Sequence, residues 1–132
     1  MTTELFWLTL TALMTALFWV PYILNRIAVQ GLIDAMSYPT ADTPEQSDWA
    51  QRAMKAHNNA AENLVVFAPL VLTLHVLGLS TGLTATMAAV YFFARLAHYL
   101  VYLAGIPVAR TLAFAVGWLA QVILALTILG VL

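Results

Sequence analysis

The stretch Arg52-Ala-Met-Lys-Ala-His-Asn-Asn-Ala-Ala-Glu-Asn63 is a polar segment that opens a long apolar run. It stands out in a chain that is 63% hydrophobic and only 8% charged. Steps of three and four residues place Arg52, Lys55, Asn59 and Glu62 on one stripe of a helix. Because ionisable groups at membrane depth are costly, they usually face a protein interior and have a partner or a function. The segment therefore predicts a membrane helix that carries a functional polar face.

The composition of the chain indicates an integral membrane protein. A soluble domain of 132 residues with a mean hydropathy of +0.90 could not bury this much apolar surface, whereas lipid can solvate it. The net charge of −1 and the lack of a basic patch argue against a nucleic-acid partner. The chain has no Cys, so any thiol chemistry must arrive with a ligand.

Four apolar stretches are long enough to cross the hydrocarbon core, which takes about 20 helical residues. They cover residues 5–27, 56–78, 84–104 and 109–132, and turns that contain Gly or Pro separate the last three. Consecutive helices with short links are typical of an up-down bundle. The sequence therefore predicts an all-α membrane protein whose four helices form a single domain over residues 1–132.

The ends of the first two spans carry further signals. Pro21 predicts a kink near the end of the first helix. The stretch 28–55 is the one long loop, and within it Thr43, with Gln46 three residues later, predicts the N-cap of the second helix. We therefore expect the second helix to begin before the bilayer and to project into the aqueous phase.

The basic residues outside the third span predict the orientation of the chain in the membrane. If the spans alternate, all of them lie on one side, and they are Arg26, Arg52, Lys55 and Arg110. The opposite side holds the N-terminus, the turn at 78–83 and the C-terminus, and it has no Lys or Arg. By the positive-inside tendency, the 28–55 loop is cytoplasmic and both termini lie on the non-cytoplasmic side.

A second polar cluster lies in the third span, where Arg95, His98 and Tyr102 share one helix face. Arg95 is about 15 Å from the turn at Gly105, at 1.5 Å per residue, which is close to the depth of Glu62. We predict an ion pair between Glu62 and Arg95, which either only holds two helices together or also serves a site. His98 is either an ordinary core histidine or a site residue beside Tyr102.

Arg110 and Thr111 open the fourth helix just after a Gly-Ile-Pro turn. Unpaired N–H groups and the helix dipole favour anions at a helix start, so the pair predicts a site for a carboxylate or a thiolate. The competing interpretation is that Arg110, like Arg52 and Lys55, extends to lipid headgroups and that Thr111 is a cap. The spacing of the three His residues matches no metal-ligand signature, so we expect no metal.

Two long motifs resemble a known family of membrane proteins. Residues 52–67, Arg-Ala-Met-Lys-Ala-His-Asn-Asn-Ala-Ala-Glu-Asn-Leu-Val-Val-Phe, are similar to the second-helix signature of the MAPEG superfamily, the membrane-associated proteins in eicosanoid and glutathione metabolism. Residues 94–111, Ala-Arg-Leu-Ala-His-Tyr-Leu-Val-Tyr-Leu-Ala-Gly-Ile-Pro-Val-Ala-Arg-Thr, look like the signature that joins its third and fourth helices. Pro21-Tyr-Ile-Leu-Asn-Arg26 also resembles the end of the first helix in bacterial members. The resemblance covers nearly the whole chain.

The resemblance implies a homotrimer of four-helix protomers that binds glutathione as a co-substrate between subunits, near the cytoplasmic side. It implies that Arg110 stabilises the glutathione thiolate and that Thr111 lies near the thiol, which makes these two the candidate catalytic residues. The implied glutathione contacts are Arg26, Lys55, Asn59, Glu62, His98, Tyr102 and Arg110.

The chain departs from the eicosanoid-forming members of that superfamily at three positions. Lys55 stands where they usually have Arg, Asn58 where several have a basic residue, and Phe114 near where a prostaglandin-forming member has Tyr. Because Lys cannot form the bidentate carboxylate clamp that Arg forms, these changes predict weaker glutathione binding or the use of a different thiol.

The residues and the resemblance together predict a membrane-bound glutathione S-transferase or peroxidase of a bacterial inner membrane. Its substrates would be lipophilic electrophiles or hydroperoxides that enter from lipid, and its other partners membrane lipids and further copies of the chain. The alternative is a non-catalytic membrane scaffold or lipid-binding homotrimer. A small transporter or channel is a third hypothesis, which four spans with one mid-membrane charge pair support little.

Overall fold

The computed structural model describes residues 1–132 and contains helices and no strands. In chain order the helices are α1 (Thr3–Leu17), α2 (Trp19–Gln30), α3 (Leu32–Ala35), α4 (Asp48–Val76), α5 (Gly82–Leu103) and α6 (Pro107–Ile128). By length and composition, four helical segments can cross a membrane, namely Thr3–Gln30, α4, α5 and α6. The prediction of an all-α protein with four membrane-spanning helices is therefore confirmed.

The first span is interrupted between α1 and α2 rather than simply kinked. Pro21 has no N–H to donate to the Leu17 carbonyl one turn earlier, and α1 ends at Leu17. The Phe18 ring stacks on the Tyr99 ring with 3.8 Å between centroids. The Tyr99 hydroxyl donates to the Phe18 carbonyl at 3.0 Å. This contact holds the interruption against α5.

The second long helix begins later than its predicted cap. Thr43 accepts a hydrogen bond from the Thr40 N–H at 2.8 Å within the loop, and α4 begins only at Asp48. The prediction of Thr43 as the N-cap is therefore wrong. The cap position is Ser47, whose N–H donates to the Asn25 side chain at 3.2 Å and whose hydroxyl accepts from it at 2.9 Å. This reciprocal pair ties the end of α2 to the start of α4, a long-range contact that a local capping signal does not reveal.

Two tight turns make the last three helices antiparallel neighbours. The turn after α4 passes through Gly78 at φ +67°, and the turn after α5 passes through Gly105 at φ +79°. Only Gly adopts this left-handed conformation without strain, and it allows the chain to reverse within a few residues. The Gly-containing turns predicted between the spans therefore lie where expected.

The interior of the bundle has two apolar clusters. The cluster nearer the α4–α5 turn consists of Phe67, Val71, Leu74, Ala88, Tyr91, Ala120 and Leu124. The cluster nearer the 28–55 loop consists of Phe18, Ala53, Ala56, Ala60 and Tyr99, and its small α4 side chains allow helices to approach closely. Along α4 and α5 a polar level separates the two clusters, and the candidate site is built on it.

Glu4 forms a buried polar contact that the sequence did not single out. Its side chain is fully buried, and its carboxylate accepts hydrogen bonds from the Ser80 hydroxyl at 2.7 and 2.9 Å and from the Thr84 hydroxyl at 2.5 Å. Thr84 also completes a capping box with Thr81 at the start of α5. The carboxylate thus joins the start of α1 to a helix N-terminus, where the helix dipole favours an anion.

Candidate functional site

An open cleft of about 290 Å³ lies where the end of α5 meets the start of α6. We call it the α5–α6 cleft, and it is lined by Asn59, His98, Tyr102, Arg110, Thr111 and Phe114. Five of these six residues are predicted site residues, and the sixth, Phe114, is one of the noted departures. Residues that lie far apart in the sequence therefore converge at one place within a single chain.

Arg110 lies across the mouth of the cleft. Its guanidinium carbon is 4.6 Å from the centroid of the Tyr102 ring, a distance typical of a cation–π contact. The contact crosses the turn between α5 and α6, so it holds the side chain over the last turn of α5. The Arg110 side chain is half-buried, which leaves its charge available to a ligand in the cleft.

The start of α6, next to the cleft, has no side-chain cap. Pro107 occupies the first turn, and the cap residue Ile106 offers no side-chain acceptor to the first N–H groups of the helix. The Thr111 hydroxyl is exposed and donates at 3.4 Å to the Pro107 carbonyl. A helix start without a cap, with a cation and a hydroxyl beside it, favours an anionic ligand.

Arg95 forms the polar floor beneath the cleft. It is only 2% exposed, and its Nη2 donates to the Asn59 Oδ1 at 2.5 Å. The same nitrogen lies 3.4 Å from the His98 Nδ1, and the guanidinium carbon lies 5.9 Å from the centroid of the Phe114 ring. The Nε is buried without a hydrogen-bond partner. A buried cation with so few acceptors adds to the positive character of the cleft.

The predicted ion pair between Glu62 and Arg95 does not form within the chain. Arg95 bonds to Asn59 instead, and the Glu62 side chain is exposed on the outer surface of α4. Glu62 follows Asn59 by three residues, which rotates its side chain by about 60° around the helix axis. The rotation of α4 about its axis therefore turns the carboxylate away from α5.

A chain of amide hydrogen bonds extends this floor to α6. The Asn63 side chain donates to the Asn59 carbonyl at 2.9 Å, and the Gln121 side chain donates to the Asn63 carbonyl at 3.1 Å. Sequence reasoning did not identify Gln121. The available signal was a single amide side chain in the middle of an otherwise apolar span, because such groups seek hydrogen-bond partners inside a membrane.

The other predicted site residues lie outside the cleft of their own chain. Lys55 and Glu62 are exposed on α4. Arg26 lines a separate pocket of about 390 Å³ under the 28–55 loop, together with Glu45 and other polar residues. Arg52 is half-buried and bonds to the end of α5, so it is not simply an anchor to lipid headgroups. The structure contains no group of three or more His, Cys, Asp or Glu side chains that could hold a metal ion.

Comparison with known proteins agrees with the two sequence motifs. The sequence model of the MAPEG family matches residues 5–130, which include almost all of the chain. A search of curated proteins found no significant match.

Proposed function

Because the chain belongs to the MAPEG family, we propose that it binds glutathione at the α5–α6 cleft and activates its thiol as a thiolate. The family includes glutathione transferases, glutathione peroxidases and non-catalytic members. The observation that carries the proposal is Arg110, held on the Tyr102 ring beside the uncapped start of α6. This combination suits a negatively charged sulfur.

Electrostatic magnitudes support this assignment. A free thiol has a pKa of about 8.5, and lowering it by one unit requires about 1.4 kcal/mol of preferential stabilisation of the anion. A guanidinium about 4 Å from the sulfur supplies roughly 4 kcal/mol at an effective dielectric constant of 20, before desolvation is subtracted. Before desolvation, this attraction exceeds the stabilisation that a shift of one pKa unit requires, so Arg110 can favour the thiolate near neutral pH.

The thiolate then has two chemical outcomes. In transfer, the sulfur attacks an electrophilic carbon, a C–S bond forms, and the leaving group departs with its electron pair. In peroxide reduction, the sulfur attacks the outer oxygen of the hydroperoxide, an S–O bond forms as the O–O bond breaks, and the alkoxide leaves and takes a proton from water to give the alcohol. A second glutathione then reduces the sulfenic acid to give a disulfide and water. In both reactions the lipophilic substrate reaches the cleft from the surrounding lipid.

The remaining predicted glutathione contacts belong to an assembled homotrimer in this proposal. Glu62 is exposed within the part of α4 that is expected to cross the membrane, where lipid would solvate its charge poorly, and Lys55 is exposed about two turns earlier on the same helix. A neighbouring copy of the chain that covers this face would bring these residues, and Arg26, toward the cleft of the next subunit. Glutathione would then bridge two chains, with the 28–55 loop on the cytoplasmic side.

The test is a spectroscopic titration of glutathione with the purified protein in detergent. Thiolate formation at neutral pH raises the ultraviolet absorbance at about 240 nm, and we expect this signal with the wild-type protein. Arg110→Gln should abolish it, whereas Arg110→Lys should retain part of it because the charge remains.

Two threonines on α6 provide a matched pair of variants. Thr111 lies in the cleft, and Thr127 makes the same kind of bond to the carbonyl four residues earlier, at the other end of the helix. Thr111→Val should reduce turnover of a model electrophile, and Thr127→Val should not. An Arg110→Gln variant with the wild-type absorbance would overturn the assignment. Binding of glutathione without any turnover would instead favour a non-catalytic member of the family.

A further inference from the structure

Arg52 makes an unusual contact at the turn that leads into the candidate site. Its Nε donates to the carbonyl of Leu103, the last residue of α5, at 3.0 Å. A Cβ built on Gly105 would lie only 3.4 Å from the guanidinium carbon and from Nε. The Arg52 side chain therefore lies directly against the turn between α5 and α6, and we call its bond to the Leu103 carbonyl the arginine clamp.

The backbone of this turn leaves one carbonyl for Arg52. The Gly105 N–H bonds to the Tyr102 carbonyl and the Ile106 N–H bonds to the Val101 carbonyl, both at 3.0 Å. These two bonds form a Schellman motif, which satisfies the two carbonyls that precede the last one of the helix. The Leu103 carbonyl accepts from Arg52, and a cation at the end of a helix also complements the helix dipole.

The turn after α4 has the same backbone motif without such a contact. The Gly78 N–H bonds to the His75 carbonyl and the Leu79 N–H bonds to the Leu74 carbonyl, both at 3.1 Å. Nothing lies within 4 Å of a Cβ built on Gly78. The arginine clamp therefore distinguishes the turn at Gly105 from an equivalent turn at the other end of the bundle.

The clamped turn determines the position of the start of α6. α6 begins at Pro107, two residues after Gly105, and the Arg110 N–H bonds to the Ile106 carbonyl at 3.4 Å. We propose that Arg52 is a positioning residue for Arg110, acting through the α5–α6 turn. This inference rests on the proposed function, since the role of Arg110 in thiolate formation gives the positioning its purpose.

Two variants weaken the same clamp from opposite sides. Arg52→Met keeps an unbranched side chain but removes the donor and the charge, and Arg52→Lys restores a donor that can reach the carbonyl. Gly105→Ala strains the turn and crowds the guanidinium, while the control Gly78→Ala has the same strained φ without a neighbour. Displacement of the catalytic group by a fraction of an ångström should lower kcat about tenfold with a smaller change in KM.

The experiment uses two readouts on the full-length protein in detergent. Backbone hydrogen exchange, without glutathione, should become faster over residues 103–114 in Arg52→Met and in Gly105→Ala, and it should stay at the wild-type rate there in Gly78→Ala. The pH titration of the absorbance at about 240 nm should show a higher thiol pKa in Arg52→Met and Gly105→Ala but not in Gly78→Ala, with partial recovery in Arg52→Lys.

The outcomes separate this inference from the proposed function. A wild-type protein that forms no thiolate would contradict the proposed function, and hydrogen exchange would still report whether Arg52 holds the turn. A wild-type protein that forms thiolate while Arg52→Met retains the wild-type thiol pKa and kcat would overturn the positioning role. An equal pKa change in Gly78→Ala would overturn it as well, because the effect would then follow from general loss of stability.

Discussion

The contact between Glu4 and the start of α5 predicts a large effect of a conservative substitution near the N-terminus. Glu4 is fully buried, and its carboxylate accepts from the hydroxyls of Ser80 and Thr84. Hydrogen bonds to a charged group contribute about 1.5–3 kcal/mol each, although Ser80 is exposed and can bond to water instead. The Thr84 hydroxyl also has an alternative acceptor, the Thr81 carbonyl at 3.0 Å.

Because the Ser80 and Thr84 hydroxyls have other partners available, the expected loss of stability is smaller than the sum of their hydrogen bonds to Glu4. Glu4→Gln keeps an acceptor oxygen and the shape of the side chain but loses the charge at the helix N-terminus. We expect it to lower the free energy of unfolding by about 1–2 kcal/mol. Glu4→Ala also leaves a cavity, and we expect a loss of about 3 kcal/mol. Glu45→Gln, in the exposed loop, is the matched control and should change stability by less than about 0.5 kcal/mol.

The assay is reversible unfolding in mixed micelles of a mild detergent and SDS, followed by circular dichroism. The double variant Glu4→Gln/Thr84→Val should lose less stability than the sum of its two single variants, because Glu4→Gln weakens the same bond that Thr84→Val removes. The reasoning would be refuted if Glu4→Gln matched Glu45→Gln, or if the double variant were additive. Either result would mean that the buried carboxylate does not hold α1 against α5.

Two further predictions concern the floor and the mouth of the cleft. A Cβ on Gly117 would meet the Arg95 side chain at 3.5 Å, an ordinary contact. Gly117→Ala should therefore raise stability by about 0.5–1 kcal/mol in thermal unfolding, whereas Gly117→Val should lower it by displacing Arg95. Loss of stability in both variants would contradict this packing. At the mouth, Tyr102→Leu removes the ring beneath Arg110 and should weaken glutathione binding by about two- to fivefold in calorimetry, while Tyr102→Phe should retain it. An equal loss of glutathione affinity in Tyr102→Leu and Tyr102→Phe would assign the effect to the hydroxyl rather than to the ring.

Much of the candidate site could be predicted from spacing along individual helices. Asn59, His98, Tyr102, Arg110 and Thr111 were selected because each lies on a polar face or at a helix start, and the structure brings all of them to one cleft. Helical periodicity determines which residues share a face, and the short α5–α6 turn brings the end of one helix to the start of the next. Convergence of the four residues on α5 and α6 follows from these local features, whereas Asn59 reaches the cleft through the packing of α4 against α5.

The partners of the buried charges could not be predicted in the same way. The depth of Glu62 was compatible with Arg95, yet the bond goes to Asn59, because the rotation of α4 about its axis selects the nearer side chain. The contacts of Glu4 with Ser80 and Thr84, and of Arg52 with the Leu103 carbonyl, join residues that no local signal connects. Each depends on the packing of whole helices.

The sequence by itself determined the number of spans, the location of the turns and the polar faces of the helices. Hydropathy, glycine conformation and the 3.6-residue period act over short distances along the chain, so a local pattern is sufficient to specify them. Only the tertiary structure decided which polar groups meet. Small side chains such as the alanines along α4 allow the helices to pack closely, and the packing of whole helices sets the rotation of each. A difference of about 60° in that rotation separates a buried hydrogen bond from a side chain at the outer surface.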